Sequence, residues 1–490
     1  MPVPLQFGEW RPDLALIDNQ FAADVDNVFP AANSYKPIPS LQPFTGGTLP
    51  GLISVTAARK TTGEWAIYGG TTTKLYQFVF FTGWTDISRT VGGPYNVPAG
   101  EVWSFAPFGK YLYAVATGNA MQRIDVDGGG NAIDAPGSPP MAHNVKQLGD
   151  FLVLGGLDSN RRKLRWCSID DPSAWVPGIN LCDEQEFPDG GPVQGVTGDT
   201  IGFVLQDRAI RSMQFLPSDT AFVFNFSRIL TDKGSVSEFG FISVGGIAYF
   251  LAEDGFYAIN PQGQLSPIGQ DKVNEWFLAN SDIGRRNLVQ CFAANKPYIV
   301  WPYHSNSATP LYDKIIIYDW SQQKWGKGSF SAFIWAMMAT ISLDLDTTGS
   351  EAGDALLDST AMSLDSFAYV GGRPIACAVD ASGTLASLTG PPMPATLETA
   401  EVHLVPGQRA YVSEVYPLID GAVNALVTAG TRERLQDDVV WGNPTPLEIT
   451  GSASLLSSSR LHRFRVQTLG GEPWTHAEGV QVEAQPDGEA

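Results

Sequence analysis

The sequence is short of charge, of cysteine and of long apolar runs, and each shortage removes a class of protein. Charged residues make up 17% of the 490 positions, against about 25% in ordinary globular domains. Much of the folded surface is therefore uncharged, and partners are expected to cover part of it. The shortage is one-sided: 31 basic against 51 acidic residues leave a net charge of −20. Gripping nucleic acid needs basic patches that release counterions from phosphate. This balance argues against such a grip, yet it allows a repellent wall past which DNA slides. The four cysteines, Cys167, Cys182, Cys291 and Cys377, are scattered in apolar strand contexts. They read as buried reduced thiols rather than a disulfide framework, as expected of a chain made and assembled in a reducing cytoplasm. No apolar run reaches the ~20 residues of a membrane span. Met1-Pro2-Val3-Pro4 opens no basic-then-apolar leader.

Chemistry-bearing motifs are equally scarce. His143, His304, His403, His462 and His476 stand alone, without the His-x-His or HExxH spacing of a zinc site, and read as structural or surface residues. No GxSxG elbow, GxxxxGK[ST] loop or GxGxxG fingerprint occurs. Asp125-Val126-Asp127-Gly128 begins like a calcium loop, but Pro136 stands where the bidentate Glu belongs, so it reads as a turn. Asp183-Glu184-Gln185-Glu186 offers paired carboxylates in what reads as a solvated loop beside Pro188-Asp189-Gly190-Gly191. The sequence offers no catalytic constellation, so no enzyme activity, cofactor or metal is expected.

What the chain has in quantity is β-hairpins. In Gly245–Ile259 two aromatic-rich apolar runs flank Glu253-Asp254-Gly255, a tight-turn signal between antiparallel strands. Similar hairpins begin near 65, 111, 151, 201, 247 and 298, 40 to 51 residues apart. That interval matches the roughly 40–50 residues of a four-stranded propeller blade. Trp84-Thr85-Asp86-Ile87 and Phe222–Phe226 fit outer strands, Trp320–Trp325 an outer hairpin, and Asp271–Phe277 a short helix. With Phe367–Val370 and Ile375–Val379 as a further hairpin, the expected fold is all-β: a propeller of six or seven blades over 51–390.

Three segments depart from this rhythm. Residues 1–50 are punctuated by prolines and spaced large anchors, among them Trp10, Leu14, Phe21, Phe29 and Tyr35, and read as an extended docking arm. The run from Gly328 to Gly372 has no Lys or Arg but carries Asp344, Asp346, Glu351, Asp354 and Asp358. Residues 344–362 read as a long acidic insertion, either solvated or lining a channel or partner. Beyond the linker Pro391-Pro392-Met393-Pro394, alternating strands suit a small β-sandwich over 395–482. Period-two alternation puts His462, Phe464 and Val466 on one face, and Arg460, Arg463 and Arg465 form a basic strip in a region with 6 Arg, no Lys and 13 acids. That strip is a candidate inter-subunit contact or a solvated strand face.

Several motifs in sequence carry a resemblance. Asp26–Pro30 precedes Ala31-Ala32-Asn33-Ser34-Tyr35-Lys36-Pro37, then Gly69–Tyr76, Arg165-Trp166-Cys167-Ser168 with Asp171–Trp175, Phe250–Tyr257 and Ile268-Gly269. In this order they resemble the tail nozzle proteins of short-tailed bacteriophages, also called DNA-stabilisation or tail tubular proteins. The resemblance spans about 1–480 and rests on turn and strand motifs. It implies a hexamer in the virion tail, below the portal and the head–tail adaptor ring. It also implies that this ring forms the distal channel for viral DNA, closes it before infection, and holds fibres or spikes. This chain is much shorter than the largest members, so their extra platform and tip domains are expected to be missing. A receptor-binding or adhesin propeller, and a propeller hydrolase, are the alternatives; the first predicts an exposed aromatic pocket, the second carboxylates converging at the central channel.

Overall fold

The computed structural model describes residues 2–15, 17, 19–79, 82–217, 222–294, 297–307, 309–339, 374–421 and 424–487. Seven four-stranded antiparallel sheets form a β-propeller. The first six use consecutive strands, from Leu52–Arg59 through Gly83–Asp86 in the first blade to Phe292–Ala293 through Lys324–Ala332 in the sixth. Each inner strand packs against the next, and Ile334–Ala339 of the seventh blade returns against Leu52–Arg59 to close the ring.

The hairpins legible in the sequence are the second and third strands of the blades. Phe151–Leu157 and Tyr298–Tyr303, for example, are buried along their whole length. A strand covered by neighbouring blades on both faces is apolar at successive positions. The inner strands are shorter or more mixed, as in Phe292–Ala293 and Phe241–Val244. Gly83–Asp86 and Phe224–Leu230 are outermost strands as expected, and the helix runs Asn274–Asn280. Asp183–Glu186, expected as a loop, is the outer strand of the third blade, where Glu184 pairs with Lys163 and Arg165. Phe367–Val370 and the acids Asp344, Asp346, Glu351, Asp354 and Asp358 lie outside the described residues.

Residues 1–50 do not form an extended arm. Pro39–Thr48 is the outer strand of the seventh blade, hydrogen-bonded to Thr384–Pro392. The earlier part builds a β-sandwich with the C-terminal segment. Pro2–Gln6 pairs with His476–Pro486, Asp24–Asp26 with Ala395–Glu398, and Val28–Pro30 with Tyr35–Pro37 beside Ala477. Two six-stranded sheets result, with Leu397, Val412, Val427, Phe464, Val466, Val480 and Val482 buried between them. The chain therefore starts in the sandwich, supplies one strand to the last blade, circles the propeller and returns to the sandwich. Separation of the two units into consecutive sequence segments is thereby corrected.

The anchors face their own chain. Trp10 is fully buried and meets Trp276 edge-on at 4.9 Å, and Phe29 stacks on Tyr298 at 4.6 Å. The Tyr35 hydroxyl donates to the Gly8 carbonyl at 2.8 Å. Phe21 lies under the Arg11 guanidinium at 4.7 Å, and Leu14 is half-buried. One continuous core joins Trp10, Val25 and Val28 to Phe256, Trp301 and Trp325 of the fifth and sixth blades.

The hairpin of the fifth blade shows how tightly this is fitted. Gly255 pairs with Ala252 across the turn at φ +139, and a Cβ there would meet the Asn274 amide at 2.1 Å. Asn274 is buried, and its Oδ1 accepts the Phe256 N–H at 3.1 Å, so it cannot swing away without leaving that donor unpaired. Gly255→Ala combines positive-φ strain with overpacking and is expected to cost about 2 kcal/mol or more. A urea-unfolding midpoint equal to wild type would refute this.

Candidate functional site

Antiparallel strand order puts two kinds of connection on one face of the propeller: links from each blade to the next, and turns between second and third strands. On that face, five segments bring charged groups together. Glu101 lies on the link into the second blade, and His143 is the second residue of the inner strand Ala142–Leu148. Glu238 lies on the link into the fifth blade; Thr117 and Asp158 sit in turns of the second and third blades. Because inner strands surround the axis, His143 stands at the rim of the central channel.

The His143 side chain is only 7% exposed. Its Nδ1 lies 3.1 Å from Glu101 Oε2 and 3.7 Å from Glu238 Oε2, and its Nε2 lies 3.7 Å from Asp158 Oδ1. The Thr117 hydroxyl donates to Glu101 Oε2 at 2.9 Å, the Gly118 N–H donates to Asp158 Oδ2 at 2.7 Å, and Arg161 pairs with Glu238 Oε1. Burial alone would lower the His143 pKa. Hydrogen bonds to Glu101 and Glu238 outweigh it and hold the imidazole above its ordinary value. Reciprocally, the His143 hydrogen bond holds the Glu101 carboxyl below its usual range, against burial. In the sequence His143 stands alone. Its partners lie 42 and 95 residues away, and only the propeller circuit brings them together.

The basic strip has a different fate. Arg463 and Arg465 both pair with Glu398, whose side chain is 3% exposed, and Arg465 lies 3.9 Å from the Trp441 ring centre. Arg463 stands 5.6 Å from the same ring. Two of the three arginines are thus engaged within their own sheet, neither as a freely solvated face nor as an unpaired contact strip; Arg460 is exposed at the turn before Leu461. His462, Phe464 and Val466 do share the inward face.

Two stretches of the chain carry exposed apolar side chains: Leu435, Val440, Ile449 and Leu456 in the sandwich, and Val176, Ile179 and Leu181 in the loop before Asp183 in the third blade. Each stretch contains a leucine in the left-handed region, Leu181 at φ 64 and Leu456 at φ 46. Among described non-glycine residues, the others with positive φ are Asn, Asp, Ser and Gln. Leu456 is 68% exposed, in a strand hydrogen-bonded on one side only, at a register shift where Val412 pairs with Ser457 but Glu414 with Ser454. A branched side chain held at positive φ costs of order 1–3 kcal/mol and persists where the surroundings impose it.

A third feature is an open cleft of about 530 Å³ between the outer edges of the third and fourth blades, lined by Phe187, Phe222, Phe224, Phe226, Asp189 and Arg211. No helix among the described residues is long and apolar enough to cross a membrane.

The fold defines the chain as an all-β propeller protein with seven blades and a β-sandwich built from both ends of the sequence. No protein-family model and no curated protein matches it. Among solved structures it is similar to the computationally designed Ika8 protein, at 11% identity over 78% of this chain and 100% of that one, TM-score 0.38. PorZ, a surface component of the type-IX secretion system of Porphyromonas gingivalis, matches at 10% identity over 72% of this chain and 40% of its own, TM-score 0.37. YCF48 bound to D1 peptide matches at 11% identity over 72% and 96%, TM-score 0.38.

Proposed function

We propose that this chain is a ring-forming subunit of the tail nozzle of a short-tailed bacteriophage. Its ring, a hexamer below the portal and adaptor, retains viral DNA before infection and conducts it during ejection, and it carries fibres or spikes. The observation that carries the assembly half of this reading is the exposed apolar side chains of the sandwich and of the third-blade loop, among them the positive-φ leucines Leu456 and Leu181. Exposed apolar side chains at two different places on one chain suit a head-to-tail contact, in which one subunit's sandwich meets the next subunit's third blade, and such contacts form a ring when the rotation closes. Strain that holds a leucine out into water is offset when a partner buries it. The net charge of −20 supports the conduit half, since a duplex carries one negative charge per ~1.7 Å and slides past an acidic wall without sticking.

The test is negative-stain electron microscopy and mass photometry of the purified chain, with and without the adaptor ring of the same particle. Rings of about six copies are expected. Ile449→Asp and Ile179→Asp should each reduce assembly while leaving the circular dichroism melt unchanged. Leu456→Gly should also weaken assembly without lowering monomer stability, because glycine relieves the positive-φ strain. Monomers at all concentrations, or rings indifferent to all three substitutions, would overturn the proposal. The aromatic cleft at Phe187, Phe222, Phe224 and Phe226 favours a second reading, a receptor-binding propeller. A monomer that binds host-surface glycans through this cleft, and loses them on substitution of the exposed Phe222 by Ala, would establish it instead.

A further inference from the structure

We propose that Glu101, His143 and Glu238 form a binding site for one divalent first-row transition-metal ion at the rim of the propeller channel. One imidazole nitrogen and two carboxylates would hold it. Donors bound to one ion at 2.0–2.2 Å lie about 3.0–3.5 Å from each other in octahedral or tetrahedral arrangements. The Nδ1 of His143 is already 3.1 Å from Glu101 Oε2 and 3.7 Å from Glu238 Oε2, and the three donor atoms all lie within 4.8 Å of one another. An ion therefore needs only small side-chain movements.

Polar neighbours hold the three donor side chains in place. Metal-bound histidines direct the other ring nitrogen to a carboxylate, which fixes the tautomer. Here the Thr117 hydroxyl lies 3.3 Å from His143 Nε2, and Asp158, anchored by the Gly118 N–H, stands behind it with Oδ1 at 3.7 Å from the same nitrogen. Arg161 holds Glu238 by Oε1 and leaves Oε2 facing His143; Thr117 donates to Glu101 Oε2. The imidazole donor favours manganese, iron, cobalt or zinc over magnesium and calcium, which prefer all-oxygen sites. The ion would tie the links into the second and fifth blades to the inner strand of the third, stapling separate blades at the channel mouth. The site stands whether or not the chain forms rings.

The test uses the full-length, untagged chain, stripped with EDTA and freed of chelator, titrated calorimetrically with zinc, manganese and magnesium chlorides. One equivalent of zinc or manganese per chain is expected, at least tenfold tighter than magnesium. The melting temperature should rise with metal concentration, because an ion bound to the folded state alone stabilises it. Glu101→Gln and Glu238→Gln preserve side-chain shape and should each weaken binding at least tenfold; His143→Ala should abolish it. If His143→Ala misfolds, the two glutamine variants still decide the matter. No saturable binding of zinc or manganese to the wild type would overturn the proposal, as would undiminished binding to both glutamine variants.

Discussion

A chain lacking residues 1–50 is expected not to fold into a propeller at all. Pro39–Thr48 supplies the outer strand of the seventh blade, and without it Thr384–Pro392 is left as a bare edge beside the first blade. Ile38 and Phe44 leave the cores of the sixth and seventh blades, and the Trp84 indole loses its acceptor, the Gly47 carbonyl at 3.0 Å. In the sandwich the same deletion removes Trp10, Val25, Val28 and Tyr35 from the shared core. Truncating one large buried side chain costs about 2–5 kcal/mol, and a whole domain is stable by only about 5–15 kcal/mol. Six such losses together match or exceed that total. Expression of residues 51–490 should yield insoluble material, or a chain with no cooperative melt and rapid proteolysis. Addition of a synthetic 1–50 segment during refolding should recover the fold. Phe44→Ala gives the graded version, a loss of about 3 kcal/mol with the ring intact. A soluble 51–490 fragment with a two-state melt and the wild-type far-ultraviolet spectrum would sink the idea.

This expectation also marks where the sequence stops being readable. Six blades announce themselves because Phe151–Leu157, Ile247–Ala252 and their counterparts are apolar without interruption, a consequence of burial between neighbouring blades. The seventh does not, because its outer strand lies more than 300 residues from its partners and is written Pro-Ser-Leu-Gln-Pro-Phe-Thr-Gly-Gly-Thr. Prolines tolerated on an edge strand look, in sequence, like the prolines of an unstructured arm. The same distance hid the site residues. Arg463 and Arg465 read as a free basic strip because Glu398, 65 and 67 residues upstream, looked like one acid among many. The His143 cluster draws on five segments with no shared motif. Local periodicity reports which strands are buried; it does not report which polar side chains ring closure makes neighbours.

Acid is expected to weaken the sandwich through His462, and this effect can be isolated. The ring is fully buried beside Phe464, at 6.1 Å between centres and nearly parallel, and neither ring nitrogen has a hydrogen-bond partner. The backbone on either side is fixed by paired hydrogen bonds with Val402, so the ring cannot turn outward without breaking the strand. Burial alone pushes its pKa from 6.5 down to about 4. The folded state therefore prefers the neutral ring. Between pH 6.5 and 4 the unfolded chain takes up the proton first, so stability falls as pH falls through that window. The depression corresponds to ~3 kcal/mol lost by pH 4 and absent above pH 6.5. His143 works in the opposite sense, because its raised pKa adds stability as the pH drops toward neutrality and below. A bare acid titration mixes the two with the carboxylates, so the comparison must be with His462→Phe. That variant fills the site with a ring that takes no proton. It should be more stable than wild type at pH 7, since two unpaired buried nitrogens disappear, each worth about 1 kcal/mol or more. Its advantage should widen by ~3 kcal/mol at pH 4. Urea midpoints at pH 7, 5.5 and 4.5 for the two proteins measure this directly, and a constant difference across the three would show that His462 does not remain neutral in the fold.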